Sequence, residues 1–354
     1  MPIIHHSRPA INQDEIDAVT AVLRSGRLVQ GERVECFEDA LVRLLGKGSA
    51  AAVGSGTAAL HLALTALDIG EGDEVAIPSF VCSALLNAIR YVRATPILAD
   101  IDPVTFNMDV ADLKRRLTSK TRAIIVPHMF GLPAAVREIA ALGVPVIEDC
   151  AQAIGSGING IPAGRVGVLS VFSFYATKVI CTGEGGMVAS ADRRLIERIR
   201  DLRDYDEKDV DRLRYNYKLT DMQAAMGIVQ LERLPGLINR RRVLARRYAN
   251  RLSGCPGIRI PVSPDGYEHI YYRYIIRTKR AAGLLAAGAA AGISYRRPIY
   301  KPLHRYLGLA GYGRTEAAFR EAVSLPLYPS LTDAEAETIL DHAECFLRGP
   351  GRRA

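Results

Sequence analysis

The stretch "SFYATKVICTGEGG", Ser173 to Gly186, closes an apolar run and sets one lysine, Lys178, ahead of three glycines. Taking an ammonium out of water is costly, so a lysine in such company either carries its amine to solvent along an apolar stem or has something bonded to it. Upstream, "VLSVFSF" (Val168–Phe174) has the length and the β-branched and aromatic content of a buried strand. Downstream, "GGMVAS" (Gly185–Ser190) reads as the next one. Lys178 therefore falls on a loop between strands, among glycines that let the backbone approach a ligand.

Working outward, the same rhythm recurs in "EVAIP" (Glu74–Pro78), "TPILADI" (Thr95–Ile101), "RAIIVPHMFG" (Arg122–Gly131) and "VPVIEDCA" (Val144–Ala151). Helical patterns such as "AAVREIAAL" (Ala134–Leu142) lie between several of them. Strands alternating with helices predict an α/β fold, with a mostly parallel sheet covered on both faces. "AAVGSGTAALHLALTAL" (Ala51–Leu67) reads as a strand, a glycine turn and a helix from about Thr57; residues 13–45 read as two helices broken at "SGRLVQG" (Ser25–Gly31). The texture changes near residue 238. We expect a large domain over 1–238 and a smaller C-terminal α+β domain over 239–354. The latter holds a basic helix, "NRRRVLARRYANRL" (Asn239–Leu252), then strands and turns, an alanine-rich helix and a last helix, "TDAEAETILDHAECFL" (Thr332–Leu347). The tail "RGPGRRA" (Arg348–Ala354) is expected to be disordered.

At 354 residues the chain exceeds one typical core, and 49% hydrophobic with 24% charged residues excludes general disorder. A net charge of +8 favours anionic ligands mildly. The arginines of Asn239–Leu252 are not interleaved with aromatics, so a solvated helix face is expected rather than a nucleic-acid patch. Six scattered cysteines show no metal spacing, and the start, "MPIIHHSRPAINQDE", is too polar for a secretory signal. Reduced thiols in a cytoplasm, no metal and no membrane span are the expectation, with His5 and His6 on the surface.

Two more features belong with the lysine. In "VGSGTAAL" (Val53–Leu60) a glycine turn feeds a helix whose first N–H groups and dipole favour an anion, although a plain capped helix with Ser55 or Thr57 as cap uses the same residues. Gly54, Gly56 and Ala59 also match a dinucleotide fingerprint, with Asp73 and Glu74 about twenty residues on. That fingerprint needs its acid at the end of the second strand, and this pair precedes its strand, which counts against a nicotinamide-dependent dehydrogenase. In "VPVIEDCAQA" (Val144–Ala153), Glu148 and Asp149 close a strand at the edge where ligands gather in open α/β sheets, though either acid could simply cap the next helix. An anion cradle, a carboxylate at a strand end and an amine after a later strand are what pyridoxal phosphate asks for: a held phosphate, an acid on its ring nitrogen and a lysine for its aldehyde.

"SGTAALHLAL" (Ser55–Leu64), "EDCAQAIG" (Glu148–Gly155), "FSFYATKVICTGEGG" (Phe172–Gly186), "YNYKLTDMQAAMGIVQLERL" (Tyr215–Leu234) and "SLPLYPSLT" (Ser324–Thr332) occur in this order and span most of the chain. As a set they resemble the DegT/StrS-type sugar aminotransferases. The resemblance implies the aspartate aminotransferase-like fold (fold type I) and a homodimer with active sites shared at its interface. It implies that Lys178 carries the cofactor as an imine and that Asp149 pairs with the ring nitrogen. Gln152 would touch the phenolic oxygen. Gly56, Thr57, Ala58 and Ser173 would hold the phosphate, joined by the partner subunit's Asn216. A dehydratase branch has histidine in place of the lysine, so Lys178 implies transamination.

One position departs from the pattern. Many members place Trp or Phe four residues after the proline of "PS" to stack on the ring; in "PSFVCSALLNAI" (Pro78–Ile89) that position is Cys82. Stacking is worth about 0.5–1.5 kcal/mol, so the ring would be held less tightly. Phe80 is expected in the core. His128, in "VPHMFG" (Val126–Gly131), either lines the site or is structural. His304, in "YKPLHRY" (Tyr300–Tyr306), lies in a loop that in the family approaches the substrate.

The expected activity is transfer of an amino group from an amino acid, glutamate being the family's usual donor, to a keto-sugar in polysaccharide or secondary-metabolite biosynthesis. The resemblance, helped weakly by charge, favours a nucleotide-linked sugar; its diphosphate would lie towards Arg296, Arg297 or the basic helix, since arginine's planar fork bonds two phosphate oxygens at once. An aminocyclitol (keto-inositol) enzyme shares every cofactor motif and stands as the alternative. A non-catalytic cofactor-binding regulator and a dehydrogenase are more distant.

Overall fold

The computed structural model describes residues 3–46 and 48–348. Its central sheet has seven strands: β1 (Ser49–Val53), β2 (Glu74–Pro78), β3 (Thr95–Ala99), β4 (Thr121–Pro127), β5 (Val146–Asp149), β8 (Leu169–Ser173) and β9 (Gly186–Ser190). A hairpin of β6 (Gly157–Ile158) and β7 (Ile161–Pro162) falls between β5 and β8. The order is β1–β9–β8–β5–β4–β2–β3, and only β9 runs antiparallel to its neighbours. Register brings Pro127 beside Asp149, Asp149 beside Val171, and Ser173 and Val53 beside Gly186. The carboxyl ends of β4, β5, β8 and β1 therefore line one edge.

The helices that cover this sheet are α1 (Gln13–Ser25), α2 (Glu32–Leu45), α3 (Gly56–Ala66), α4 (Ala84–Tyr91), α5 (Val110–Arg116), α6 (Val136–Ala140) and α7 (Arg193–Leu202). Alternate residues of one strand enter cores on opposite faces, as a two-residue period dictates. Val75 and Ile77 pack with Leu64 and Ile89, whereas Ala76 packs with Leu113 and Ile139. Burial on both faces is why these strands read as continuous apolar runs. The first helix is set by a capping box, Asn12 with Glu15, and stops at Gly26; the second starts where the Asp221 carboxylate accepts the N–H groups of Gly31 and Val34. The helix expected over Ala134–Leu142 shrinks to α6, whose start no side chain caps.

The region after the sheet begins with α8 (Asp221–Leu252), one helix of 32 residues. It continues through β10 (Ile258–Arg259), β11 (Tyr267–Glu268), β12 (Tyr274–Thr278), α9 (Ala281–Ala290), α10 (Leu303–Tyr306), α11 (Gly313–Glu321), β13 (Ala322–Leu325) and α12 (Asp333–Arg348). No linker stands at 238. Leu234, Leu237 and Ile238 belong to the core under the sheet, and Leu244, Ala245, Tyr248 and Leu252 to a second core with Ile276, Val323 and Ile339. We propose the division at 238 in this sense, as a change of core within one helix. Several segments cross it: Ile4 joins the second core, Ile270 and Tyr272 join the core of Leu234, and Ile275, Ile299, Leu303, Tyr312, Ala318 and Ala322 join the core of Val75 and Ile77 on the sheet's other face.

The basic helix is only in part a solvated face: Arg246 is exposed, but other arginines are committed within the chain. Arg240 and Arg247 pair with Asp333, and Arg251 with Glu337, Asp341 and Glu344, all on α12. Arg241 is buried and donates to the carbonyls of Tyr272 (3.2 Å) and Leu327 (3.0 Å). His6 is likewise not a free surface residue: its ring nitrogens meet the Ser294 carbonyl and Ser324 Oγ. Of the expected tail, Arg348 ends α12, and 349–354 lie outside the described residues. Among the described residues no helix is long and apolar enough to cross a membrane.

Candidate active site

At the carboxyl edge of the sheet, α3 begins directly against the end of β8. A Cβ added at Gly56 would lie 2.8 Å from Ser173 Cβ, closer than real carbon contacts, so only glycine lets the turn approach. Ser55 caps the helix, its Oγ accepting from Ala58 N (3.1 Å). The first-turn N–H groups of Gly56 and Thr57 have no intrahelical acceptor and stand beside Ser173. Ala58 shares the place, but its own N–H is already spent on the cap. Gly54 donates to the Tyr217 carbonyl (2.8 Å), which brings the segment carrying Asn216, an exposed residue, alongside this turn in the same chain.

The alternation of β5 separates the two acids. Glu148 turns into the protein, where it accepts from the N–H groups of Gly164 (2.8 Å), Val166 (2.7 Å) and Gly167 (2.6 Å) and meets His128 Nε2 (3.1 Å). Burial alone would raise its pKa, but His128 and these amides hold it below the usual range. Asp149 faces the opposite side, 7% exposed, with Oδ1 accepting from Ala151 N (3.0 Å). Burial raises its pKa, against the pull of the Ala151 N–H, Lys178 and His128. Among the described residues no cation lies within ion-pair distance of it.

Lys178 is held on a turn tied back to β8: its N–H donates to Tyr175 O, and Phe174 and Ala176 donate to Gly185 and Gly183 carbonyls. The amine has no carboxylate partner among the described residues. Its Nζ sits 5.5 Å from the ring centroid of Tyr272, a residue the sequence did not single out. Tyr272 is buried; burial would raise its phenol, but Lys178, Arg273, Thr177 and Arg241 bring it down to about 8. The one local signal was an arginine inside the aromatic run "YYRY". Cys82 keeps solvent-facing surface, yet surrounding protein pushes its thiol up, opposed by Lys178 and reinforced by Asp149. It therefore lies within reach of both charges. Phe80 is buried against Phe106 and Phe130. Gln152 Oε1 accepts from Phe130 N (2.9 Å), leaving its amide N–H groups for the cleft.

Both histidine candidates prove structural. His128 is 1% exposed, its Nδ1 accepting from Ala134 N (2.9 Å) and its Nε2 committed to Glu148. His304 is buried on Tyr312, its ring nitrogens meeting Ser79 Oγ (2.6 Å) and Glu316 (2.7 Å). It joins the loop after β2 to α11 and has no nitrogen left for a substrate. Arg297 is spent on the Phe319 carbonyl and stacks on that ring, whereas Arg296 is exposed.

An anion-binding helix start against Ser173, a buried carboxylate with a free oxygen and an unpaired amine on a glycine-bounded turn fit pyridoxal phosphate in charge and hydrogen-bonding chemistry. The whole fold agrees. The aminotransferase TlmJ from Streptoalloteichus hindustanus superposes with a TM-score of 0.93 at 33% identity, over 97% of this chain and 98% of that one. A curated relative, dTDP-4-dehydro-2,3,6-trideoxy-D-glucose 4-aminotransferase of Saccharopolyspora spinosa, is 36% identical over 96% of this chain and 95% of its own. UDP-N-acetyl-3-dehydro-alpha-D-glucosamine 3-aminotransferase of Acidithiobacillus ferrooxidans is 35% identical over 92% of each. Fold and cleft define an aminotransferase of the aspartate aminotransferase-like class. The chain, matched over residues 9–344, belongs to the DegT/DnrJ/EryC1/StrS aminotransferase family, whose aminotransferases depend on pyridoxal phosphate.

Proposed function

We propose that the protein uses pyridoxal phosphate to move an amino group from glutamate to a nucleotide-linked keto-sugar. The observation that carries this is the grouping of Lys178, Asp149 and the first turn of α3 at the carboxyl edge of the sheet, in a chain whose relatives are named as aminotransferases of dTDP- and UDP-linked keto-sugars. When bound, pyridoxal phosphate supplies an electron sink for the carbon that gains or loses the amino group. Lys178 Nζ would be the residue that holds it covalently, and the same amine, when free, would move the proton as general base and then acid. Asp149 would keep a proton on the ring nitrogen through its free oxygen. The N–H groups of Gly56 and Thr57 with Ser173 would hold the phosphate, and Gln152 would orient the ring through its amide. With Cys82 in place of an aromatic residue, that position would give the ring no stacking partner. Arg296, exposed, would remain open to a diphosphate.

A homodimer with shared sites remains part of this reading, Asn216 reaching the partner's phosphate. Mixing Lys178→Ala with Asn216→Ala subunits should then restore one working site per mixed dimer. No recovery after verified subunit exchange would place both residues in one chain, as the Gly54–Tyr217 contact would allow.

The substrate is tested by supplying glutamate with a panel of nucleotide-linked keto-sugars and a keto-inositol, at low and high salt. Product is expected from at least one nucleotide sugar, with a KM that rises with salt. Turnover of the free cyclitol alone would overturn the sugar reading.

A further inference from the structure

We propose that His61 is a positioning residue for the partner subunit's site: it braces Tyr215 and Tyr217 so that Asn216, between them, faces outward to the partner's phosphate. The proposal rests on the shared-site reading, in which Asn216 reaches that phosphate. His61 stands on α3, beyond the turn that would hold a phosphate in its own chain, and it is buried. Three tyrosine rings meet it edge-on: Tyr215 at 4.8 Å, Tyr91 at 5.3 Å and Tyr217 at 5.9 Å between centroids. Its Nδ1 also meets the Tyr217 hydroxyl at 3.2 Å. Burial holds its pKa below the ordinary value, so the ring among the tyrosines is neutral at neutral pH.

Tyr215 and Tyr217 flank Asn216, and their rings stack on each other at 5.0 Å and 12°. Their backbone is tied down: Tyr215 N donates to Leu202 O (2.8 Å), Tyr217 N to Arg203 O (2.9 Å), and Tyr217 O accepts from Gly54 N (2.8 Å). Those bonds fix where the segment runs, not which way its side chains turn. Residues two apart whose rings stack share one side, which leaves the residue between them for the other. With both tyrosines turned in on His61, Asn216 is turned out. It is exposed, and among the described residues its amide has no hydrogen-bond partner. Just beyond, Lys218 pairs with Asp204 (2.6 Å) and Asp206 (3.2 Å), which pins the segment on its far side. An unbraced exposed asparagine would lose more freedom on bonding a phosphate oxygen, and the bond needs one direction of approach. One helix thus serves two sites. The start of α3 faces its own chain's phosphate, and His61 further along braces a residue meant for the other.

The test measures pyridoxamine phosphate binding by calorimetry in wild type, Asn216→Ala, His61→Leu, His61→Gln, Tyr217→Phe and the double variant of His61→Leu with Asn216→Ala. Asn216→Ala should weaken binding about tenfold, the lower worth of a hydrogen bond to a charged group. His61→Leu keeps the buried space filled and should lose most of that factor. His61→Gln can still bond the Tyr217 hydroxyl and should recover part of it. In the double variant the two losses should not add, because one acts through the other. A mixed dimer then shows which site feels the change. Joined to a Lys178→Ala subunit, a His61→Leu subunit supplies the only Lys178, and that site takes Asn216 from the chain with His61 intact. Titrated with pyridoxal phosphate and followed by the visible band of the lysine-bound cofactor, that site should show wild-type affinity. The His61→Leu homodimer should be weak at both sites. A weak lysine-bearing site in the mixed dimer would mean that His61 acts on its own chain through α3, and would overturn the assignment. So would additive losses in the double variant, or wild-type binding by His61→Leu beside a weakened Asn216→Ala. If His61→Leu does not fold, Tyr217→Phe decides, and wild-type binding by it would overturn the assignment. Unchanged binding by Asn216→Ala would instead refute the shared-site reading, and the role of His61 with it.

Discussion

Lys178→Ala should yield a folded protein that still binds the cofactor and turns over negligibly. The substitution removes two roles from one atom, the covalent anchor and the proton carrier. A positioned acid–base group alone contributes about 10²–10⁴-fold, and among the described residues no second lysine lies beside Asp149 to replace it. The fold should survive, because Lys178 makes no ion pair among the described residues and its contact with Tyr272 is worth about 0.5–1 kcal/mol. Gly56, Thr57 and Ser173 would still hold the phosphate, so pyridoxamine phosphate should bind with similar affinity. Borohydride reduction of the wild type, followed by peptide mapping, should place the label on Lys178. A label on another lysine, or rapid turnover by the alanine variant, would refute the assignment.

Asp149→Asn should cost at least two orders of magnitude in turnover while leaving thermal stability equal or higher. Burial raises the Asp149 carboxyl above its unfolded value. A raised pKa means that the stability this group contributes is full at low pH and lost as pH rises through the folded value, so at neutral pH its charge is a burden on the fold. Asparagine keeps the shape, can still accept from Ala151 N–H and removes that burden. It also removes the charge that would keep the ring nitrogen protonated. Sites that trade stability for activity behave in this way. Near wild-type turnover would mean that another acid does the pairing, and Glu148 is a poor substitute, since His128 and three amides already occupy it. A large fall in melting temperature would contradict the linkage argument.

The parts of this site legible in the sequence are those set by local pattern. A strand that ends in Glu148–Asp149, a glycine turn into α3 and a lysine after β8 are each readable from neighbours in the chain, and the sheet edge gathers them. The choice of Asp149 over Glu148 comes from the resemblance alone; the local pattern cannot make it, because it depends on amides at Gly164, Val166 and Gly167 and on His128. In the sequence His128 stays open between the site and the core, and His304 reads as approaching the substrate, for the same reason: Ser79 and Glu316 flank His304 only in space. The arginines of α8 looked solvated because their acids lie on α12, far along the chain. Tyr272 and Arg273 were passed over as strand residues, since nothing local says that a lysine from another loop will share their ring.

Because α8 threads both cores, the two regions of the chain are not interchangeable modules. A fragment starting at residue 239 would begin inside a helix and leave Ile299, Leu303, Tyr312 and Ala318 without the surface that covers them. A fragment ending there would lose those four plugs from its own core. Recombining this protein with a relative of different sugar preference therefore has to carry α8 and the 299–318 segment together with the sheet they pack on, so that natural exchange of specificity should proceed by substitutions lining the cleft rather than by shuffling of halves.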